Sequence, residues 1–450
     1  MFREVPSLLK ELCLISTLIF ASSAVAQRNE APASSQAQTQ MLLPPPVSGV
    51  GLPTSIGAQK LSNALSGGVL VSGGYANNLY PGSGIRTVSD STFSVQPYMS
   101  FDRTTSRLNE SLQYSPTFDY YSPDTIFNTF NQSGTVAFQY HLAPHVTVLA
   151  GDSVDKTSDT WSQPLSSGSI SGGLPAATPG FIVPFAPQIS NSAYGQLAWQ
   201  LSPNSMVGAG GNTTLLHYTN TSQAQGLFDS NSRSGSGFYT RRFGSNQYFG
   251  GLYEYSYIVA TPDTASGPPE EDLSAHEAMA FYTVYLEPKL SISLGAGPQY
   301  YKLEQSPAAP LHAWTPIAVG SVGWQAQRAS FALTYSHLVT AGEGIVGAYS
   351  SDSGSLSTRL QLSPDWIATI AGTYAQLNPV TRSFSFSTPG GHTVSFNGSL
   401  ERRLGPFLSL SIQYQHLHQT YDGIPSIAAN PDSSLATASI SYHFTRPLGM

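Results

Sequence analysis

From about Gly67 to the C-terminus, apolar and small polar residues alternate with a period of two. Leu290, Ile292, Leu294 and Ala296 fall on one side of an extended chain, with Ser291, Ser293, Gly295 and Gly297 on the other. Val136, Phe138, Tyr140 and Leu142 likewise oppose Thr135, Ala137, Gln139 and His141. Leu408, Leu410, Ile412 and Tyr414 oppose Ser409, Ser411, Gln413 and Gln415, and Val394, Phe396 and Leu400 oppose Ser395, Asn397 and Ser399. Runs of about ten such residues have the length and pattern of a strand that crosses a bilayer at a tilt. After residue 26 no stretch reaches the roughly 18 consecutive apolar residues that a spanning helix needs.

Five strand junctions share one device: Leu142-Ala143-Pro144-His145, Leu201-Ser202-Pro203-Asn204, Leu286-Glu287-Pro288-Lys289, Leu362-Ser363-Pro364-Asp365 and Leu404-Gly405-Pro406-Phe407. Proline presets φ for a tight turn and lacks the N–H that a central ladder needs, so it marks where pairing stops. Three further short turns, at 103–106, at 244–246 and around Arg328, lack it. The other connections (156–191, 218–232, 260–274 and 420–432 among them) are long and rich in Gly, Ser, Asp and Pro. Short turns at one end and long loops at the other predict an all-β, antiparallel up-and-down transmembrane barrel with periplasmic turns and extracellular loops. Eight short turns predict sixteen strands. One more near Gly67 and a last at Ala436–Phe444 bring the expectation to about eighteen, with sixteen as the lower count. The competing fold, an exported soluble sandwich or solenoid, has no need of Leu-x-Pro turns followed by strands of this length.

Aromatics near the short turns (Trp199, Phe243, Tyr285, Trp324, Phe331, Trp366 and Phe407) fit an interfacial girdle. The last strand alternates through Ala436, Ala438, Ile440, Tyr442 and Phe444, which resembles the signal read by outer-membrane assembly machinery; here Thr445–Met450 follow it. Glu110 is a misfit, because it shares the apolar parity of Leu108, Leu112 and Tyr114.

Composition sharpens this picture. Charged residues are 10% of the chain against about 25% in soluble domains, so neutral polar side chains must supply the wet face. A net charge of −7 argues against nucleic acid as a partner. At the start, Leu12–Phe20 followed by Ala24-Val25-Ala26 reads as a leader cleaved before Gln27, and it would take Cys13, the only cysteine, with it. The expected organisation is a signal peptide at 1–26, a flexible periplasmic segment at 27–66 and a barrel at 67–450.

If the apolar parity meets lipid, the lumen is lined by Ser, Thr, Gln, Asn, Gly and Ala. Arg359, Gln361, Asn397, Glu401, Arg403, Gln413 and Gln415 are candidate lining residues. A wall of this kind donates and accepts hydrogen bonds without a strong field, which suits neutral hydroxylated solutes. The longest loop carries Trp161, Phe181 and Phe185, an apolar content that is costly in water, and it is the candidate constriction. His416 and His418 fall on the apolar parity near Asp422, where a headgroup-boundary position is the simpler reading. Glu270–Asp272 lacks calcium-loop spacing, and no catalytic, phosphate-binding or zinc motif is present, so neither metal, cofactor nor enzyme activity is expected.

One stretch, Phe93–Asp152, carries a more specific likeness. It contains Ser94-Val95-Gln96-Pro97, Arg107-Leu108, Leu112-Gln113-Tyr114-Ser115-Pro116, Tyr120-Tyr121, Asn128, Asn131 and Leu142-Ala143-Pro144. It resembles the β-barrel porins found with exopolysaccharide biosynthesis systems, and the resemblance implies an outer-membrane barrel serving polysaccharide export or attachment. It carries over no catalytic or binding residue. The expectation is a barrel in the bacterial outer membrane that passes a sugar or exopolysaccharide. The alternatives are a plugged barrel holding surface glycan and a general diffusion porin.

Overall fold

A computed structural model describes residues 63–78, 89–122, 125, 128–158, 161, 170–171, 174–175, 187–220, 227–262, 270–287, 289–305, 309–341, 348–380, 390–421 and 432–448. The expected leader and nearly all of 27–66 lie outside them, as do Phe181 and Phe185. The strands are β1 (Ala64–Asn77), β2 (Asp90–Thr104), β3 (Leu108–Ser122), β4 (Thr129–Ala143), β5 (Val146–Thr157), β6 (Ile170–Ser171) and β7 (Leu174–Pro175). They continue with β8 (Gln188–Ser202), β9 (Ser205–Tyr218), β10 (Phe228–Phe243), β11 (Gln247–Pro262), β12 (Glu271–Glu287), β13 (Leu290–Gln305) and β14 (Leu311–Gln325). The last are β15 (Ala329–Ala341), β16 (Ala348–Gln361), β17 (Trp366–Pro379), β18 (Gly391–Arg403), β19 (Leu408–Tyr421) and β20 (Asp432–Pro447).

Apart from β6 and β7, which pair only with each other, these strands form one eighteen-stranded sheet. Each strand runs antiparallel to its sequence neighbours, β5 pairs with β8, and β1 closes on β20 from Ala64↔Pro447 to Asn77↔Ser434. Closure leaves no strand without a neighbour on each side, which is what lets a sheet cross a bilayer. The turns fall at the eight predicted places. That at 244–246 needs Gly244, whose φ of 65° is costly for residues with a Cβ. β1 begins three residues ahead of the expected Gly67.

Residues directly opposed across a ladder share a face, so one strand's parity sets its neighbour's. The exposed large apolar residues fall on one parity of every strand, Tyr194 apart: Val69 and Val71 on β1, Leu294 on β13, Ile370 on β17, Ile412 on β19 and Ile440 on β20. The barrel is thus apolar outside and polar inside, the reverse of a soluble protein. Glu110 does lie on the lipid face. Its register partner there is Arg103, 3.4 Å away beside the 105–107 turn, so the misfit is a cross-strand ion pair at the interface.

Two aromatic belts bound this surface. Trp199, Phe243, Trp324 and Phe407 face outward near the short turns. Tyr285 does not join them. It takes the inner parity and meets Tyr248 edge-on at 5.9 Å, while Leu286 fills the outward place. At the other end Tyr255 and His276 lie 4.8 Å apart, Tyr300 and Trp314 5.2 Å, and His392 and His418 5.4 Å. His416 and His418 sit in this belt, hydrogen-bonded to Ser434 and Asp432 respectively. On β14 the two belts are marked by Trp314 and Trp324. At about 3.3 Å per residue and a tilt of about 40°, those ten residues rise about 25 Å, the height of the apolar band of such barrels.

Strand prolines interrupt three ladders. Pro97 lies across from Pro116, and the β2–β3 register is broken between Val95↔Phe118 and Met99↔Tyr114. Pro298 lies in the β12–β13 gap between Glu277↔Gln299 and Ala280↔Ala296. Pro298 and Pro316 oppose each other on β13 and β14. Two prolines cannot form a hydrogen-bonded pair, so the backbone of Pro316 points toward β15 and offers it no donor. The β14–β15 ladder ends there: it holds only eight pairs, from Gln325↔Ser330 to Ala318↔His337.

Candidate functional site

The chemistry of this barrel lies on its inner parity. Cross-strand hydroxyl pairs recur around the wall: Ser66 with Ser100 at 2.6 Å, Thr283 with Ser293 at 2.7 Å, and Thr334 with Ser355 at 2.6 Å. Ser336 with Ser353, Thr373 with Ser395 and Ser409 with Ser441 are each 2.7 Å apart. In each case directly opposed inward positions on neighbouring strands carry Ser or Thr, which is the cross-strand pair as the stabilising unit of a sheet.

The seven lining residues read from the sequence stand on β16, β18 and β19. Arg359 and Gln361 are opposite Thr369 and Ile367. Asn397 is opposite Gln415, Glu401 opposite Ser411 and Arg403 opposite Ser409. Gln413 is opposite Ser399, and its side-chain amide nitrogen is buried without a hydrogen-bond acceptor. All seven take the parity opposite to the exposed Leu356, Phe396 and Ile412. Of the candidate constriction residues only Trp161 is described: it is half-buried, and its indole N–H finds no acceptor.

Sequence reading missed much of the inner charge. Asp90, Asp102, Asp119, Asp155, Glu254, Glu271 and Glu277 share the inner parity with Glu401, against Arg242, Arg359 and Arg403 among the described arginines and lysines. Glu254 directly opposes Glu277, whose Oε1 accepts a 2.8 Å hydrogen bond from Gln299 Nε2. Asp119 accepts from Asn131 Nδ2 at 2.9 Å. The alternation was visible in each of these strands, so carrying parity through β2, β3, β5, β11 and β12 would have found these carboxylates.

The interior is narrowed by the wall itself. Beyond His337, β15 leaves β14 and remains paired with β16 alone, from Leu338↔Ser351 to Ala341↔Ala348. Val339 and Ala348 continue the outward parity of their strands, yet both are buried against inward residues of β12 and β13: Leu273, Ala275, Tyr301 and Leu303. The upper ends of β15 and β16 therefore turn into the barrel with their outward-parity side chains on the inner wall, while Tyr349–Ser351 stay paired with Leu377–Pro379 of β17. Gln299 holds β15 there. Its Nε2 donates to Val339 O and its Oε1 accepts from Val339 N, both at 2.8 Å. These are the backbone groups that Pro316 would face if the ladder continued, and Gln299 supplies the donor that proline lacks.

No protein-family model matches the chain, and no curated protein matches it. Among solved structures, it is similar to the ferric citrate transporter FecA in its unliganded form, at 12% identity and a TM-score of 0.41 over 84% of this chain. The chain spans 64% of that transporter's length. It is also similar to the outer membrane protein OpdK of Pseudomonas aeruginosa (11% identity, TM-score 0.40, 85% of this chain and 99% of that one). The FrpB iron transporter of Neisseria meningitidis gives 9% identity and a TM-score of 0.42 over 85% of this chain and 82% of that one. The protein is an outer-membrane β-barrel. Its closed eighteen-stranded sheet, apolar exterior and paired aromatic belts carry that assignment.

Proposed function

We propose that the barrel is a non-enzymatic channel for neutral, hydroxyl-rich solutes, a sugar or a glycan chain. The observation that carries this reading is the partly open inner wall where Thr334 pairs with Ser355, Thr373 with Ser395, and Asn397 stands opposite Gln415. Hydroxyls and amides exchange hydrogen bonds with a sugar much as they do with water, so a solute can trade partners along the wall as it crosses. Arg359, Gln361, Asn397, Glu401, Arg403, Gln413 and Gln415 are its lining in this reading. The link to exopolysaccharide rests on the resemblance over Phe93–Asp152 alone. Export needs the 1–26 leader, and β20 with its outward Phe444 is the segment offered to the assembly machinery.

A second reading is a plugged barrel that holds glycan at the cell surface. The intrusion of the β15–β16 hairpin favours it. Planar-bilayer recordings of the purified chain separate the two. A current reduced by millimolar neutral oligosaccharide, with cations carried in preference to anions because inner carboxylates outnumber inner arginines, is the expected result. No current at all would leave the plugged barrel, and a current insensitive to sugar a general diffusion porin. Deleting 165–187 should raise conductance only if that loop also narrows the path.

A further inference from the structure

Eighteen strands close this barrel, yet one seam is not zipped to the top. On the β14 side, Leu311–Ile317 have no β15 partner. By the rise counted from Trp324, this free edge begins in the outer half of the membrane, where an unpaired backbone is costly. Its outward Trp314 is 71% exposed, the most of any large apolar residue described. On the β15 side, the strand that would satisfy this edge has turned inward, where Gln299 takes both backbone groups of Val339 and where Val339 and Ala348 pack on Leu273, Ala275, Tyr301 and Leu303. The register that ends at Ala318↔His337 has a direct continuation, Ile317 against Leu338, Pro316 against Val339 and Thr315 against Thr340. Two arrangements thus compete for one segment.

We propose that Leu338–Ala341, moving with its β16 partners Ala348–Ser351 and the β17 end Leu377–Val380 bonded to them, is a two-position gate that opens the lumen and the lateral seam in turn. This rests on the channel reading above. In the observed position the hairpin occupies the lumen and leaves the seam unpaired. In the other it zips onto β14, which closes the wall and clears the lumen. Pro316, Gln299 and the packing of Val339 and Ala348 on β12 and β13 set the balance between them. The proline removes one ladder bond from the zipped position, and the glutamine adds two hydrogen bonds to the inward one. Both openings cannot exist together, because the same backbone groups of Val339 serve each position.

The test is a cysteine pair, T315C/T340C, in the full chain, whose only native cysteine is Cys13. Both positions have inward parity and oppose each other only in the zipped position. S336C/S353C, permanently opposed with hydroxyls 2.7 Å apart, is the oxidation control. Mass spectrometry should show slow disulfide formation in the parent background, accelerated several-fold by Q299L and by P316A. The oxidised barrel should conduct at least about twice as well as its reduced form. If the control oxidises but T315C/T340C does not, even with Q299L or P316A, the gate is wrong and any conductance leaves the channel reading standing. A disulfide that forms without raising conductance in a conducting barrel also overturns it. A disulfide that forms in a barrel conducting in neither state keeps the two positions and defeats the channel reading instead.

Discussion

Replacing Ile412 by arginine is expected to destabilise the folded barrel by about 2–4 kcal/mol, the cost of a basic side chain on the lipid face near the bilayer midplane. Ile412 is 61% exposed, among the highest values of the apolar exterior. It lies five residues above Phe407 of the lower belt, which places it about 12 Å into the apolar band. A guanidinium there must snorkel or thin the bilayer, and neither belt is within easy reach. The adjacent Gln413→Arg, on the inner parity, is the internal control and should cost less than about 1 kcal/mol, since a lumen substitution alters selectivity rather than insertion. Equilibrium urea unfolding in phospholipid vesicles measures both. A larger cost at Gln413 than at Ile412 would mean that the faces are assigned the wrong way round.

A second large effect is expected at Gly297. A Cβ built there would overlap Ala278 O, a backbone atom with no rotamer to yield. The position falls in the β12–β13 gap beside Pro298, where the missing N–H lets the two chains approach without a ladder bond to set their spacing. Gly297→Ala must push the strands apart, and overpacking of this kind costs about 1–3 kcal/mol. Gly195 is the contrast, because nothing stands within 4 Å of its Cβ position. Gly195→Ala should be neutral or slightly stabilising. Retention of the compact, heat-sensitive band on unboiled gels reads both, and a Gly297→Ala barrel as resistant as the parent would refute the close approach.

Much of this architecture is legible because a membrane barrel is governed by local rules. Leu290–Gly297 alternate since one face meets lipid and the other water, and that requirement repeats on every strand. Leu-x-Pro turns mark the short ends because proline stops a ladder wherever it stands. The same residue also hid what the sequence reading missed. Pro316 is embedded in an alternating run and reads as one more strand residue; its effect depends on which neighbour its backbone faces, and that is set by Pro298 on the adjoining strand. Tyr285 went astray for a related reason, since next to the β12–β13 turn a single residue decides between the belt and the lumen. Glu110 was a misfit only until its partner was known, and Arg103 sits across a turn whose register the sequence leaves open.

What the sequence determines by itself is the membrane barrel. Period-two alternation, eight short turns and a count of sixteen to eighteen strands follow from residue type and spacing, and so does the outward or inward parity of almost every side chain. What only the tertiary structure decides is the state of the interior. Whether β15 continues along β14 or turns into the lumen depends on Gln299, Val339 and Pro316, residues from three strands that meet only when the barrel closes. Local preference cannot choose between two ladders that differ by one missing N–H. The choice falls to Gln299, which bonds both freed backbone groups of Val339.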